Sequence, residues 1–290
     1  MKVACIGLGA MGWPMAKNLK SAGHEVLVYT RTAEKAKRHE DEHGTQAATL
    51  AGVAEAEVIF SCLPTSNEVE EVARALLDRL RPGTIWVDCT SGEPEKSREV
   101  ARMLEEKGVF FLDAPVSGGT AGAEAGTLTI MVGGDEAAFA RVRPLFEALG
   151  KRVIHVGPVG AGHATKAVNN TMLAANLLAA AEGLLALSKA GVPLKTALEV
   201  INGSSGRSFA TEVLFPERVL DRSFPLTFKL GLLAKDVRIG NKVVEGEGVP
   251  APVFHLVREL FEIAKNELGE DADHVEVAKL VERWGKGEIK

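Results

Sequence analysis

The sequence predicts an α/β protein in which an N-terminal, doubly wound and mostly parallel sheet precedes an all-α domain, with a long helix joining the two. Three observations lead to this fold class. Short apolar runs alternate with amphipathic helical stretches up to about residue 157, the glycine-rich segment 157–162 interrupts that alternation, and nearly all of the remaining sequence has helical periodicity. We therefore expect two domains, residues 1–159 and 160–290.

The elements follow in order from this periodicity. Short apolar runs predict strands at 3–6, 24–29, 58–61, 84–87, 109–112, 128–132 and 153–156. Amphipathic stretches predict helices at 11–22, 68–80, 93–107 and 136–149. An Ala/Leu-rich run predicts the long helix at 163–190, and later periodic stretches predict helices at 194–202, 226–245, 253–266 and 275–284.

The segment after the first predicted strand has the spacing Gly-x-Gly-x-x-Gly, formed by Gly7, Gly9 and Gly12. The first glycine permits a tight turn, the second lets the backbone approach a pyrophosphate, and the third lets the following helix pack close to the sheet. The diphosphate would lie over the N-terminus of that helix. We expect a Rossmann-type dinucleotide-binding domain whose cofactor contacts the segment Gly7, Leu8, Gly9, Ala10, Met11 and Gly12; on the glycines alone, an ordinary structural turn is the alternative.

The end of the second predicted strand favours NADP over NAD, with NAD still possible. An NAD site usually has Asp or Glu there to bind the ribose hydroxyls. This chain has Thr30-Arg31-Thr32 instead, and no carboxylate before Glu34. The Arg31 guanidinium suits a phosphate and Thr32 adds a hydroxyl. The alternative is that Arg31 is a solvated loop cation.

Composition excludes several classes of protein. The chain has 290 residues, is 46% hydrophobic and carries a net charge of −5 without a basic stripe, so we expect no nucleic-acid partner. Cys5, Cys62 and Cys89 lack metal-ligand spacing, which predicts reduced thiols and no metal site. The N-terminus lacks the architecture of a signal peptide, and no uninterrupted apolar stretch reaches about 18 residues. These features predict a cytoplasmic protein with no membrane partner.

Three later segments carry polar groups that could perform chemistry. In the small-residue stretch 113–127, the glycines that follow Ser117 expose N–H groups and a hydroxyl that suit a carboxylate, although a flexible connection is equally consistent with them. Lys166, Asn169 and Asn170 share one face of the long predicted helix.

A lysine in a partly desolvated cleft can exchange a proton with a substrate hydroxyl, and an adjacent amide can hold the substrate oxygen. A capping and interdomain hydrogen-bond cluster is the alternative for this face. Lys235-Asp236 places a second lysine and an acid in an apolar helical pattern, where a helix-surface ion pair is the alternative.

Together these segments resemble the 3-hydroxyisobutyrate dehydrogenase family, within the beta-hydroxyacid dehydrogenases, over essentially the whole chain. Residues 7–19 are similar to the N-terminal fingerprint of that family, 113–119 to its substrate loop, and 162–170 to its catalytic helix. Lys235-Asp236 is similar to its late Lys-Asp pair.

The resemblance implies an oxidoreductase that interconverts a small 3-hydroxy acid, best matched by 3-hydroxyisobutyrate of valine catabolism, and its semialdehyde. It implies that Lys166 is the general acid/base, with hydride passing to C4 of the nicotinamide. It implies that the substrate is bound by Ser117, Gly118, Gly119 and Asn170. Beyond the fingerprint and Thr30, Arg31 and Thr32, it implies cofactor contacts from Leu63, Pro64, Asn67, Ser91, Phe228, Lys235 and Asp236.

One departure from the family pattern and one competing hypothesis keep alternatives open. Thr30-Arg31-Thr32 is more similar to NADP-using relatives, so a tartronate-semialdehyde, glyoxylate or succinic-semialdehyde type of reductase is the alternative activity. An NADP-binding module without catalysis is the alternative class.

The apolar helical residues 171–187 carry more hydrophobic surface than a small domain covers, which predicts a homodimer or homotetramer.

Overall fold

A computed structural model describes all residues from Met1 to Lys290 and has the predicted α/β fold class. The chain divides into two compact units, Met1–Lys166 and Ala167–Lys290. This division falls inside the long helix, whereas the domain boundary at 159/160 is drawn from the sequence pattern and stays a prediction. The first unit holds the sheet, and the second is helical.

Nine strands form the sheet of the first unit, in the order β3-β2-β1-β4-β5-β6-β8-β7, with β9 paired to β8. The strands from β3 to β6 are parallel, β8 runs antiparallel to β6 and β7, and β9 is parallel to β8. Because the chain goes from β1 to β2 in one direction and later to β4 in the other, the switch point for a ligand lies at the carboxyl ends of β1 and β4. The strands are β1 Lys2–Ile6, β2 Glu25–Tyr29, β3 Gln46–Ala47, β4 Val58–Ser61, β5 Ile85–Asp88, β6 Phe110–Asp113, β7 Val116–Ser117, β8 Leu128–Gly133 and β9 Gly150–Gly157.

Helices cover both faces of this sheet, because alternate strand residues point in opposite directions. Val3 and Cys5 of β1 belong to one buried cluster, while Ala4 and Ile6 belong to another that contains the fully buried Trp86. The helices of the unit are α1 Gly12–Ser21, α2 Ala33–His43, α3 Ser66–Leu76, α4 Pro94–Glu105, α5 Gly119–Ala125 and α6 Glu136–Glu147, and a 3₁₀ turn covers Ala51–Glu55.

The second unit is built from helices around one apolar core. The long helix α7 Ala161–Lys189 begins in the first unit and supplies Leu177 and Leu184 to this core. By length and composition alone, α7 could cross a membrane. The core helix of a globular protein meets the same criteria, so one such helix is weak evidence for a membrane-spanning segment. The other elements are α8 Leu194–Asn202, a π-helical segment Ala210–Val219, α9 Leu230–Gly246, α10 Pro252–Leu268, a 3₁₀ turn His274–Glu276 and α11 Val277–Gly285.

Several helices differ from the sequence expectation, among them α3, α5 and the π-helical segment Ala210–Val219, and for two others, α2 and α9, the structure shows the physical reason. Helix α2 was not predicted because it is mostly charged and buries only Ala36 and His39, so it has little apolar periodicity. Helix α9 begins at Leu230 rather than at 226, because backbone N–H groups before Leu230 form hydrogen bonds outside the helix. The N–H groups of Thr227 and Phe228 donate to the carboxylate of Asp273, at 2.6 and 3.0 Å.

The carboxylate of Asp273 holds the segment of Thr227 and Phe228 that precedes α9. Burial by itself would raise the pKa of the Asp273 carboxyl, but hydrogen bonds from His274, Phe228 and Thr227 hold it well below its usual value. Its Oδ1 also accepts from the N–H of Val275, at 3.0 Å. The carboxylate therefore fixes the chain immediately before α9.

Candidate functional site

The three glycines of the fingerprint lie in different surroundings, so a side chain at each would have a different effect. Gly7 has φ +97°, and a Cβ there would lie 2.3 Å from the carbonyl oxygen of Cys62. A Cβ on Gly12 would lie 2.0 Å from the carbonyl oxygen of Gly7. A Cβ on Gly9 would meet nothing within 4 Å. The fold itself thus requires Gly7 and Gly12, whereas Gly9 leaves open space at the switch point, where a pyrophosphate would fit.

The N-terminus of α1 is available to an anion. It has no side-chain cap and no acid in its first turn, whereas α3 starts with a capping box formed by Thr65 and Glu68. The partial positive charge of the helix dipole is therefore not neutralised by the protein. Ala10 is exposed and Met11 half-buried, but the side chain of Leu8 is buried in the core, so Leu8 offers a ligand only its backbone.

The predicted ribose-binding residues follow β2. Thr30 is half-buried, while Arg31 and Thr32 are exposed. The carboxylate that interacts with Arg31 is Glu68, at the start of α3. Its hydrogen bond with Thr65 holds the pKa of Glu68 below the usual value, and the charge of Arg31 adds to that effect. Arg31 is therefore near the first turn of α3, and the end of β2 has no acid of its own.

The loops after β4 and β5 are tied to each other at the same edge of the sheet. The N–H of Leu63 donates to Oγ1 of Thr90 at 3.1 Å, and the N–H of Glu93 donates to Oγ of Ser66 at 2.8 Å. The predicted cofactor contacts in these loops remain accessible: Pro64 and Asn67 are exposed, and Leu63 and Ser91 are half-buried.

The predicted substrate loop, residues 113–119, includes β7 and the first residue of α5. Ser117 ends β7 and is half-buried, and the exposed Gly118 and Gly119 follow with φ +136° and +63°. Such angles favour glycine. The helix α5, Gly119–Ala125, then occupies 7 residues of the small-residue stretch 113–127, for which the sequence predicted no helix.

A row of buried polar residues ends three neighbouring strands. Sequence analysis assigned no function to their side chains, although Asp113 begins the segment that resembles a substrate loop. Ser61, Asp88 and Asp113 are in register at the carboxyl ends of β4, β5 and β6. Asp88 accepts from Oγ of Ser61 at 2.9 Å and from the N–H of Thr90 at 3.1 Å. The signal was present in the sequence, because each of these apolar runs ends in a polar residue.

Asp113 caps the long helix. Its two carboxylate oxygens accept the N–H groups of Gly160, at 2.7 Å, and His163, at 2.8 Å. A Cβ on Gly133 or Gly162 would come within 2.5 or 2.9 Å of this carboxylate, so only glycines leave room for it. Burial raises the pKa of the Asp113 carboxyl, and the interaction with His163 and the two N–H donors offset part of that rise.

Lys166 lies one turn beyond His163 on α7 and is 9% exposed. Burial of an ammonium group is unfavourable unless other groups compensate it, which makes a buried lysine a candidate for proton exchange. The side chain of Lys166 is thus largely removed from solvent, and its role in proton exchange stays a prediction.

In the second unit, the predicted residues form a hydrogen-bonded cluster around Asn170. The amide of Asn170 donates to Asp236 at 2.7 Å and accepts from Asn169 at 3.1 Å. The ammonium of Lys235 lies 3.4 Å from the other oxygen of Asp236. Asn170 and Asp236 are buried, so this carboxylate orients the Asn170 amide. Asp236, predicted as a cofactor contact, thus contacts both Asn170 and Lys235.

Phe228, a predicted cofactor contact, belongs to the segment that Asp273 anchors. It is half-buried, and its ring lies 5.5 Å from that of His274 in an edge-to-face arrangement. The Asp273 contacts thus hold Phe228 in place before α9.

Comparison with known families matches both units. A family model described as the NAD binding domain of 6-phosphogluconate dehydrogenase matches residues 2–157. A second, described as NAD-binding of NADP-dependent 3-hydroxyisobutyrate dehydrogenase, matches residues 160–281.

Individual proteins are similar over nearly the whole chain. The sequence is 37% identical to 2-(hydroxymethyl)glutarate dehydrogenase of Eubacterium barkeri, over 90% of this chain and 88% of that protein. It is 37% identical to 2-hydroxy-3-oxopropionate reductase of Escherichia coli, over 97% of each. The structure is similar to that of Mycobacterium tuberculosis 3-hydroxyisobutyrate dehydrogenase with L-serine, with a TM-score of 0.90 and 33% identity over 97% of this chain and 98% of that one.

A pair of glycine variants separates a ligand requirement from a folding requirement. Gly9→Ala should keep the melting temperature but weaken NADPH binding about tenfold or more, because its methyl group occupies the space of the phosphate. Gly12→Ala should lower the melting temperature, because its methyl group collides with the carbonyl of Gly7. Thermal unfolding and a fluorescence titration with NADPH measure both effects. Gly246→Ala, whose Cβ would meet nothing, is the control, and unchanged NADPH affinity of Gly9→Ala would contradict the assignment.

Proposed function

The chain belongs to the 3-hydroxyisobutyrate dehydrogenase family of beta-hydroxyacid dehydrogenases, and from that premise we propose that it is an NADP-dependent dehydrogenase of a small 3-hydroxy acid, best fitted by 3-hydroxyisobutyrate. The reaction interconverts this acid and its semialdehyde. The observation that carries the proposal is the start of α7, where the buried Lys166 and Asn170 lie one helical turn apart. The fixed amide of Asn170 adds to it.

The protein's share of the chemistry is proton exchange and orientation. The nicotinamide, when bound, accepts or supplies the hydride at C4. The Nζ of Lys166 takes the proton of the substrate hydroxyl during oxidation and returns it to the carbonyl oxygen during reduction. The Asn170 amide, held by Asp236, orients the substrate oxygen. Ser117 and the N–H groups of Gly118 and Gly119 bind the substrate carboxylate.

Arg31 supports the choice of NADP. It is exposed at the end of β2, where an NAD site would have an acid, and its guanidinium can form paired, charge-assisted hydrogen bonds with the 2′-phosphate. The description of the second matched family model as NADP-dependent points the same way.

A second candidate is a reductase of tartronate semialdehyde, glyoxylate or succinic semialdehyde. It is supported by the 37% identity to the Escherichia coli 2-hydroxy-3-oxopropionate reductase. It uses the same Lys166 chemistry. Tartronate semialdehyde differs from the semialdehyde of 3-hydroxyisobutyrate in carrying a hydroxyl in place of the methyl group, whereas glyoxylate and succinic semialdehyde differ in the distance between the aldehyde and the carboxylate.

A substrate panel with both cofactors tests the function. The kcat/KM values for 3-hydroxyisobutyrate, L-serine, glycerate, 4-hydroxybutyrate and their carbonyl partners should be highest for 3-hydroxyisobutyrate with NADP. Lys166→Ala should lose turnover by about a hundredfold or more while keeping NADPH affinity. Lys151→Ala, which changes an exposed lysine of β9, should match the wild type. Binding of NADPH without turnover of any panel compound would favour a non-catalytic module.

The cofactor assignment has a charge-reversal test. Arg31→Asp should weaken NADPH binding about tenfold to a hundredfold and leave NADH binding nearly unchanged, because the lost hydrogen bonds and the new repulsion concern only the phosphate. Arg102→Asp makes the same charge change at an exposed position of α4 and serves as the control. An unaltered ratio of NADPH to NADH affinity in Arg31→Asp would remove Arg31 from this role.

We also propose that the chain is a cytoplasmic homodimer or homotetramer. Support comes from apolar side chains that the second unit leaves exposed, among them Met172, Phe209, Leu232, Val253 and Leu256. Burial of such side chains against another copy would be favourable. Light scattering should give at least twice the chain mass of 30.8 kDa, and a monomer mass would contradict self-association.

A further inference from the structure

His163 is a buried, ionisable residue next to the proposed site, with no role in the proposed chemistry. Its side chain has no exposed surface, and it lies in the first turn of α7, three residues before Lys166. Because residues three apart on a helix are neighbours on its surface, a rotation or shift of this turn also moves Lys166.

The imidazole contacts the segment that follows β5. Its Nδ1 lies 2.6 Å from Oγ of Ser97, on α4, and its Nε2 lies 3.9 Å from a carboxylate oxygen of Asp88. A Cβ added to Gly92 would lie 2.9 Å from Cε1 of the His163 ring. The ring is therefore enclosed by the loop that carries Ser91, by the start of α4 and by the end of β5.

The backbone of the same residue is fixed from the opposite side, because its N–H donates to Asp113 at the end of β6. His163 thus joins two neighbouring strand ends and the start of α4 to the turn of α7 that precedes Lys166. The charged groups that face this turn are Asp88, Asp113 and Arg98, whose guanidinium would lie 3.3 Å from a Cβ on Gly160.

We propose that His163 is a positioning residue: its imidazole holds the first turn of α7 against the loop that carries Ser91, and so sets the place of the Lys166 ammonium for proton exchange. The proposal rests on the proposed function of Lys166. His163 touches neither substrate nor cofactor in this role and acts through Ser97 and through the helix.

Two substitutions of His163 test the contact itself. His163→Phe keeps the ring but removes both nitrogens, whereas His163→Asn retains an amide group near the position of Nδ1, within reach of Ser97. His163→Phe should lower kcat about tenfold to a hundredfold with little change in the KM for NADP, because a small misplacement of an acid/base group is costly. His163→Asn should recover most of that loss.

A second readout reports on Lys166 without turnover. The rate at which acetic anhydride modifies Lys166, measured by mass spectrometry as a function of pH and relative to the exposed Lys151, should change in His163→Phe and return towards the wild type in His163→Asn. His24→Phe is the matched control, because His24 lies before the amino end of β2, whereas His163 lies near the carboxyl ends of the strands. It should leave both readouts unchanged.

If His163→Phe fails to fold, Ser97→Ala removes the same contact without changing the buried ring, and it should lower kcat and change the reactivity of Lys166 in the same sense. Wild-type kcat and wild-type Lys166 reactivity in folded His163→Phe or in Ser97→Ala, or equal losses in His163→Phe and His163→Asn, would overturn the proposal. If the wild type oxidises no hydroxy acid while the reactivity of Lys166 still depends on His163, the proposed function fails and the positioning role stands.

Discussion

The carboxylate of Asp113 is the contact on which the placement of the functional residues in the first unit depends. It is fully buried at the end of β6 and accepts the N–H groups of Gly160 and His163. Each of these donors, left unpaired in the interior, would cost about 1–3 kcal/mol. Gly133 and Gly162 leave the room that the carboxylate needs. The start of α7, and with it Lys166, is therefore fixed relative to the sheet.

The second unit uses buried carboxylates in the same way. Asp236 fixes the amide of Asn170, and Asp273 fixes the segment with Phe228 before α9. A buried carboxylate is costly on its own, so it is stable only where several donors converge on it. In the first unit such an anchor holds the turn of α7 that precedes Lys166, and in the second unit such anchors hold the amide of Asn170 and the backbone of Phe228. Fixed placement of this kind is what catalysis by orientation requires.

The sequence predicted the fold because the alternation of apolar runs and amphipathic stretches is a local property. The fingerprint is local only in part: Gly12 meets the backbone of Gly7 in the same segment, whereas Gly7 meets the carbonyl of Cys62, which follows β4. Helix α2 was missed because ion pairs such as Lys37 with Glu40 replace an apolar face. Ser97 and His163 are 66 residues apart, and no local pattern brings them together. The parallel sheet does so, by collecting the carboxyl ends of its strands at one edge.

The most direct test of the central claim, that the amine of Lys166 exchanges a proton with the substrate, is chemical rescue of Lys166→Ala by small primary amines. The account predicts that turnover rises with amine concentration to a plateau, and that the plateau rate depends on the pKa of the amine. Alcohols of the same size should have no effect. Equal stimulation by alcohols, or a rescued rate that does not depend on the pKa of the amine, would contradict the account.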